Sequence, residues 1–194
     1  MYHIHHTNAM ILGSRSRGEA NKVFTILTRE LGLIHATAQG VRLNKSKLRY
    51  ALTDYAQVKI DLVHGKEMWR ITSATPVTSF PHIRSSMNGI KLLASVSKLL
   101  RRLLHGEGEY HEVLFDDLQT TYNFLESHAG DAHIYDVVEL CLVLRILKHL
   151  GYLSGEAHSE YTGDTFDPAG IDYARFEKKT ILFEINRALR ESHL

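Results

Sequence analysis

Hydrophobic periodicity changes once along this 194-residue chain, from a period of about two to one of about three and a half, in the stretch marked by Pro76 and Pro81. Before that stretch the apolar residues come in short runs rich in β-branched and aromatic side chains. Ala9-Met10-Ile11-Leu12 ends a first run, and Lys22 to Thr28 forms a second. Leu31-Gly32 marks a turn, Leu33 to Ala38 is a third run, and Gly40 closes it. Gln57 to Val63 alternates polar and apolar residues, as a half-buried strand does. His64-Gly65-Lys66 is a further turn, and Glu67 to Val77 is the fifth run, with Trp69 and Ile71 on one face. Five short strands separated by glycine turns, within about eighty residues, predict a small closed barrel, which leaves no exposed sheet edge.

After the prolines the pattern is helical. Ile90, Leu93, Val96, Leu100, Leu103 and Leu104 share one stripe, and Gly106-Glu107-Gly108 ends it. Val113, Leu114, Leu118, Tyr122 and Leu125 make a second stripe, stopped near Gly130. A third helix is expected from Asp131, as N-cap, to Leu150-Gly151, where glycine suits the C-terminal cap. Ser154 to Gly170 is polar and reads as a loop, and Phe176 to Leu189 predicts a final helix. The expected fold is therefore α+β: an OB-fold barrel over residues 1–80, followed by an all-α helical bundle over residues 81–194.

The net charge of +1 hides a division between these halves. Residues 1–102 hold 16 Lys/Arg against 5 Asp/Glu, whereas residues 103–194 hold 7 against 17. Such a split predicts one half that faces a polyanion and another that faces something else. The single cysteine, Cys141, excludes an intramolecular disulfide and a four-cysteine zinc site. It falls in an apolar helical pattern and reads as a small core residue. No basic stretch followed by a long apolar one opens the chain, and the most apolar segment, Ile134 to Leu153, carries Asp136, Glu139, Arg145, Lys148 and His149. Those charges argue against a membrane span, and the expected location is the cytoplasm.

The densest basic segment, Gln39 to Arg49, joins the third and fourth strands and holds Arg42, Lys45, Lys47 and Arg49. Cations on a loop neutralise phosphates and release counterions, which gives salt-sensitive affinity without sequence preference. Ser46 and the Gly40 amide are candidate phosphate hydrogen-bond donors. Arg15 and Arg17, read as part of a turn Ser14-Arg15-Ser16-Arg17-Gly18, would extend the patch. Tyr50, Tyr55 and Trp69 are candidate stacking platforms, although Trp69 at strand spacing is better read as core.

Several of these fragments, in order, are similar to the N-terminal domains of the RecO family. They are Gly18-Glu19-Ala20-Asn21-Lys22, Phe24-Thr25-Ile26-Leu27-Thr28-Arg29-Glu30-Leu31-Gly32, Ala38-Gln39-Gly40-Val41-Arg42, Lys45-Ser46 and Trp69-Arg70-Ile71-Thr72. The resemblance covers about the first eighty residues; beyond them it rests on helical patterns and Leu150-Gly151-Tyr152. It implies an OB-fold domain and a helical domain that bind single- and double-stranded DNA. It further implies annealing of complementary strands, and recombinase loading together with RecR and single-strand-binding protein. Many relatives carry a four-cysteine zinc module after the Leu-Gly-Tyr motif, whereas Ala157 to Gly163 contains no cysteine. No zinc and no other cofactor is expected, and the C-terminal region is expected to be reduced.

Other constellations carry less. His3, His5 and His6 have no acidic or cysteine neighbour in sequence, and His128, Asp131, His133 and Asp136 are read as a helix start rather than a phosphoesterase site. No phosphate loop or nucleophile elbow appears, so the chain is not expected to be an enzyme. Lys98, Arg101 and Arg102, beside Leu99, Leu100 and Leu103, are candidates for holding an acidic, apolar-ended peptide such as the tail of single-strand-binding protein. The bland alternative is an ordinary amphipathic helix. Two other functional readings remain open: an RNA-binding OB module, and an adaptor whose helical half is the active part.

Overall fold

The computed structural model describes residues 3–66, 68–106, 108, 111–128, 134–153 and 168–191. Five strands, β1 (Ile4–Arg17), β2 (Asn21–Thr28), β3 (Gly32–Ala38), β4 (Gln57–His64) and β5 (Trp69–Thr78), close into a barrel in the order β1-β2-β3-β5-β4. This is the OB-like arrangement expected of the first half. Alternate residues point inward and make one core: Ala9 and Ile11 from β1, Phe24 and Ile26 from β2, and Ile34 and Ala36 from β3. Val58, Ile60 and Leu62 from β4 and Trp69 and Ile71 from β5 complete it.

β1 is longer than its sequence suggested, with 14 residues. Its first half, Ile4 to Met10, pairs with β4, and its second half, Ala9 to Arg17, pairs with β2. A register shift between Ile11 and Gly13 marks the handover, since a bulge bends a strand and sharpens its twist. Gly13 sits at φ +154°, and the Arg101 guanidinium approaches within 3.3 Å of where a Cβ would stand. That backbone angle is the one that strains any residue with a Cβ, whereas the guanidinium, the far end of a flexible side chain, would need to move only slightly. The expected turn at Ser14–Gly18 is therefore corrected: Arg15 and Arg17 are strand residues, opposite Val23 and Asn21.

Two compact units partition the chain: residues 1–79 with 97–115, and residues 80–96 with 116–194. The segment 97–115 joins the barrel unit for an apolar reason. Met10, Leu12, Leu27 and Leu33 are buried without belonging to the barrel core. Leu104 and Arg101 meet this outer face beside Thr25, Leu33 and His35, and Arg29 pairs with Glu112 at 3.7 Å.

The helices are α1 (Leu48–Ala51), α2 (Pro81–Ser85), α3 (Met87–Leu103), α4 (Glu112–Ser127), α5 (Ile134–His149), α6 (Pro168–Phe176) and α7 (Lys178–Glu191). In the second unit, α5 is buried on most sides, and α6 and α7 pack against it. The Glu126 carboxylate on α4 accepts hydrogen bonds from the His82 and Ile83 amides, at 2.9 and 3.0 Å, and so caps α2 with a negative charge where its backbone donors are unsatisfied. Arg145 on α5, 3% exposed, meets Asp117 on α4 at 2.9 Å, and His149 meets the other oxygen of the same carboxylate at 3.2 Å.

Three expectations for this half change. The final helix is two, and α6 starts at Pro168 inside the expected loop, since proline suits the first turn of a helix. Phe176, taken as the start of the last helix, ends α6 and is 85% exposed. Ile90 and Val113 lie on their expected stripes but face outward. Asp131 and His133 lie outside the described residues, as does Ala157 to Gly163.

Candidate nucleic-acid interface

The basic segment between β3 and β4 is pinned to the β1–β2 turn by three hydrogen bonds. The Arg42 amide donates to the Ala20 carbonyl at 3.0 Å, and its guanidinium to the Gly18 carbonyl at 3.0 Å. The Gly40 amide donates to Asn21 Oδ1 at 2.8 Å. The last bond corrects the expectation that the Gly40 amide serves a phosphate, because its one proton is already used. Further along, the Ser46 amide donates to the Leu43 carbonyl at 3.0 Å, and Arg49 donates to Asn44 Oδ1 at 2.8 Å. The segment is thus a folded turn leading into α1, rather than a free arm.

Folding in this way opens a cleft of about 360 Å³ lined by Lys22, Val41, Arg42, Asn44, Arg49 and Leu52. It brings Arg42 and Arg49 together and adds a cation the sequence reading missed. Lys22 is the second residue of β2 and passes there for an ordinary polar strand position. Only the pairing of β2 with β3, Lys22 opposite Ala38, sets it beside the basic segment. Lys45 and Lys47 are exposed on the same segment but do not line the cleft, and neither does half-buried Ser46. Among the described residues no carboxylate pairs with Arg42, Lys45, Lys47 or Arg49, so their charge is not neutralised internally.

Arg15 and Arg17 are exposed at the end of β1, next to the turn that the basic segment holds. Arg17 Nη1 lies 3.2 Å from Met68 Sδ, just before β5. Trp69 is core, as its spacing favoured: it is 6% exposed and meets the edges of the His5 and His64 rings, at 5.1 and 4.8 Å. Tyr50 on α1 is exposed, and Tyr55 occupies a left-handed backbone position between α1 and β4.

The candidate peptide site fares differently. Lys98, Arg101 and Arg102 are exposed, but Leu100 and Leu103 are buried and Leu99 is half-buried. The apolar wall expected beside these cations is corrected: α3 is amphipathic and turns that stripe inward. Arg101 lines instead a recess of about 190 Å³ with Thr25, Leu33, His35, Leu104 and Gly106.

No cluster of three or more potential metal ligands occurs among the described residues. His6 does have an acidic neighbour in space, Asp61 at 2.6 Å across the β1–β4 pair, which its sequence surroundings did not reveal. Burial lifts the Cys141 thiol from 9.0 to about 11, partly countered by the Arg145 charge. No helix among the described residues is long and apolar enough to cross a membrane.

Comparison with known proteins bears on the same stretch. The family model for the N-terminal domain of recombination protein O matches residues 1–80, which hold β1 to β5. The "DNA repair protein RecO" of Heliobacterium modesticaldum is 33% identical over 151 residues, 77% of this chain and 52% of that protein. Residues 1–80 match the RecO N-terminal family, and the chain is similar to RecO proteins over about three quarters of its length. Other RecO relatives include those of Dehalococcoides mccartyi, 37% identical over 81 residues (42% of this chain, 32% of that protein), and Shigella flexneri, 27% identical over 161 residues (82% and 63%). The chain spans about half the length of the curated RecO proteins it matches first. Lys22, Arg42 and Arg49 all lie within the RecO N-terminal match, so the cleft is built entirely from that domain.

Proposed function

We propose that this chain acts in DNA repair and recombination by binding single- and double-stranded DNA on its barrel and bringing complementary strands together. The observation that carries the reading is the cleft ringed by Lys22, Arg42 and Arg49, three cations without a described carboxylate partner. Arg15, Arg17, Lys45 and Lys47 extend the positive surface around it, and Ser46 adds a hydroxyl. Cations in this arrangement neutralise phosphates, which lowers the repulsion between two strands without any bond being made or broken. The relatives' names, DNA repair protein RecO, support placing that activity in repair.

The partners proposed for it are a RecR-like protein and single-strand-binding protein, with Lys98, Arg101 and Arg102 as the cations for an acidic tail, and the setting proposed is the cytoplasm. Strand annealing is the test. Complementary oligonucleotides are mixed with the chain, with and without single-strand-binding protein. Faster duplex formation in both arms is expected, and a rate equal to the protein-free control would overturn the proposal. Competition between DNA and RNA strands of one sequence decides the sugar, since cations on a cleft do not read it.

A further inference from the structure

Three imidazoles gather at one end of the barrel, around the Trp69 indole. The His5 and His64 rings stand 5.1 and 4.8 Å from it, and the His3 ring stands 4.5 Å from that of His5. Strand pairing accounts for the grouping. His3 and His5 share the parity of Ala9 and Ile11, which face the core from β1, and His64 shares that of Ile60 and Leu62 in β4. Ile4 pairs with Val63 and His64 pairs with Trp69, so the starts of β1 and β5 meet at the end of β4. Proximity in sequence suggests a different trio, His3, His5 and His6. Alternation along the strand turns His6 to the opposite face, where its ring meets Asp61.

The nitrogens of the three gathered rings are uncommitted. His6, His35, His82, His105, His128 and His149 each set a ring nitrogen 2.6 to 3.3 Å from a protein oxygen. Among the described residues no such bond reaches His3, His5 or His64. A neutral imidazole carries a lone pair on one nitrogen, and a lone pair that no donor occupies is available to a metal ion. Solvent has access as well, since His3 and His64 are exposed and His5 is half-buried.

We propose that His3 and His5 chelate a divalent late transition metal ion at this end of the barrel. Their separation fits two rings on one ion. With metal–nitrogen bonds of about 2.0 Å, each ring centre stands about 3.2 Å from the ion, and two rings at a right angle are then about 4.5 Å apart. Imidazole nitrogens suit copper, nickel and zinc, and the right angle favours copper(II) and nickel(II). No three potential ligands among the described residues form a closed set, so water fills the other positions. The ion clamps the entry to β1 beside its first pair, Ile4 with Val63, and stabilises the folded barrel by mass action.

The experiment uses the full chain without an affinity tag, stripped by a chelator and titrated separately with copper(II), nickel(II) and zinc(II). Trp69, the single tryptophan, reports the first two, because open-shell ions quench an indole at this distance from the His5 ring, and calorimetry reports the third. The expected result is saturable quenching by a single tightly held copper ion per chain, with a melting temperature that rises with the ion and falls back when chelator is added. His5→Ala weakens copper binding about tenfold or more, as a chelate is reduced to one ligand, whereas His6→Ala leaves it unchanged. His5→Ala is the deciding substitution, since an ion held by His3 and main-chain atoms alone would survive it. Unaltered affinity in that variant overturns the site, as does loss of binding in His6→Ala. Copper that binds the unsubstituted chain without quenching Trp69 lies elsewhere and overturns it too, a result that does not depend on how any variant folds.

Discussion

The Arg42 guanidinium donates to the Gly18 carbonyl at 3.0 Å, and this bond joins two parts of the chain that sequence alone sets 24 residues apart. Its effect is to hold a cation at the rim of a cleft before any ligand arrives. A side chain already ordered loses less rotamer freedom on binding, so the arrangement favours affinity through preorganisation. The same bond also leaves other guanidinium N–H donors free to meet a phosphate.

Replacing Arg42, Lys45 and Lys47 together by Ala weakens binding to DNA of every sequence. The dependence of log affinity on log salt becomes shallower by about 0.7 for each single-strand phosphate that the variant no longer neutralises. Anisotropy titrations at several salt concentrations measure the slope, and an unaltered slope would remove this segment from the interface.

Asn21→Ala acts on the same interface without touching its charge. The Gly40 amide is deprived of its acceptor, which costs about 1–2 kcal/mol of stability, at the lower end for a half-buried donor. The basic segment is then less ordered, so DNA affinity falls while the salt slope stays as it was. Urea denaturation and the salt titration read the two effects separately.

Asp117→Ala removes the carboxylate that faces both Arg145 and His149. Breaking a buried ion pair from one side costs about 3–5 kcal/mol, because Arg145, 3% exposed, loses the carboxylate that faces it. The double change Asp117→Leu with Arg145→Met recovers most of that stability, since neither charge is then left behind. Chemical denaturation of the three proteins tests this, and DNA affinity of the barrel is the control that should not move.

Cys141 gives a pH prediction with a definite sign. Its folded value, raised to about 11 from 9.0, means that the unfolded thiol ionises first as pH rises. Between those values the native state binds more protons than the unfolded state, so stability falls with rising pH through this window. Cys141→Ala removes this contribution, and the difference between the two proteins in denaturation midpoints across that range is the measurement. At neutral pH the same thiol reacts with alkylating reagents only when the chain is unfolded.

Much of the barrel was legible because its strands obey a period of two. β2, β3 and β4 were read to within a residue or two from alternation such as Gln57 to Val63. The end of β1 was not, because Ser14-Arg15-Ser16-Arg17-Gly18 has the composition of a turn and shows its strand character only through pairing with β2. Lys22 was missed for a related reason: its neighbours at the cleft are about twenty or more residues away in sequence and arrive there by strand pairing. In the helical half, periodicity placed the stripes but not their full width. Ile90 and Val113 sit at stripe edges where no neighbour covers them completely. α6 was hidden because a helix that starts at Pro168 and contains Gly170 resembles the end of the loop before it.

The barrel closes at β3 and β5 through two described residue pairs, Ala36 with Trp69 and Thr37 with Arg70, in contrast to the long antiparallel ladders elsewhere. A ring is only as firm as its shortest stretch of zipper, so fluctuations that part the strands begin at this seam. Thr37 and Arg70 also line a cleft of about 400 Å³ beside the turn between β4 and β5. Whatever bridges those two side chains therefore acts as a clasp on the ring, and its binding free energy is added to the closed state by mass action.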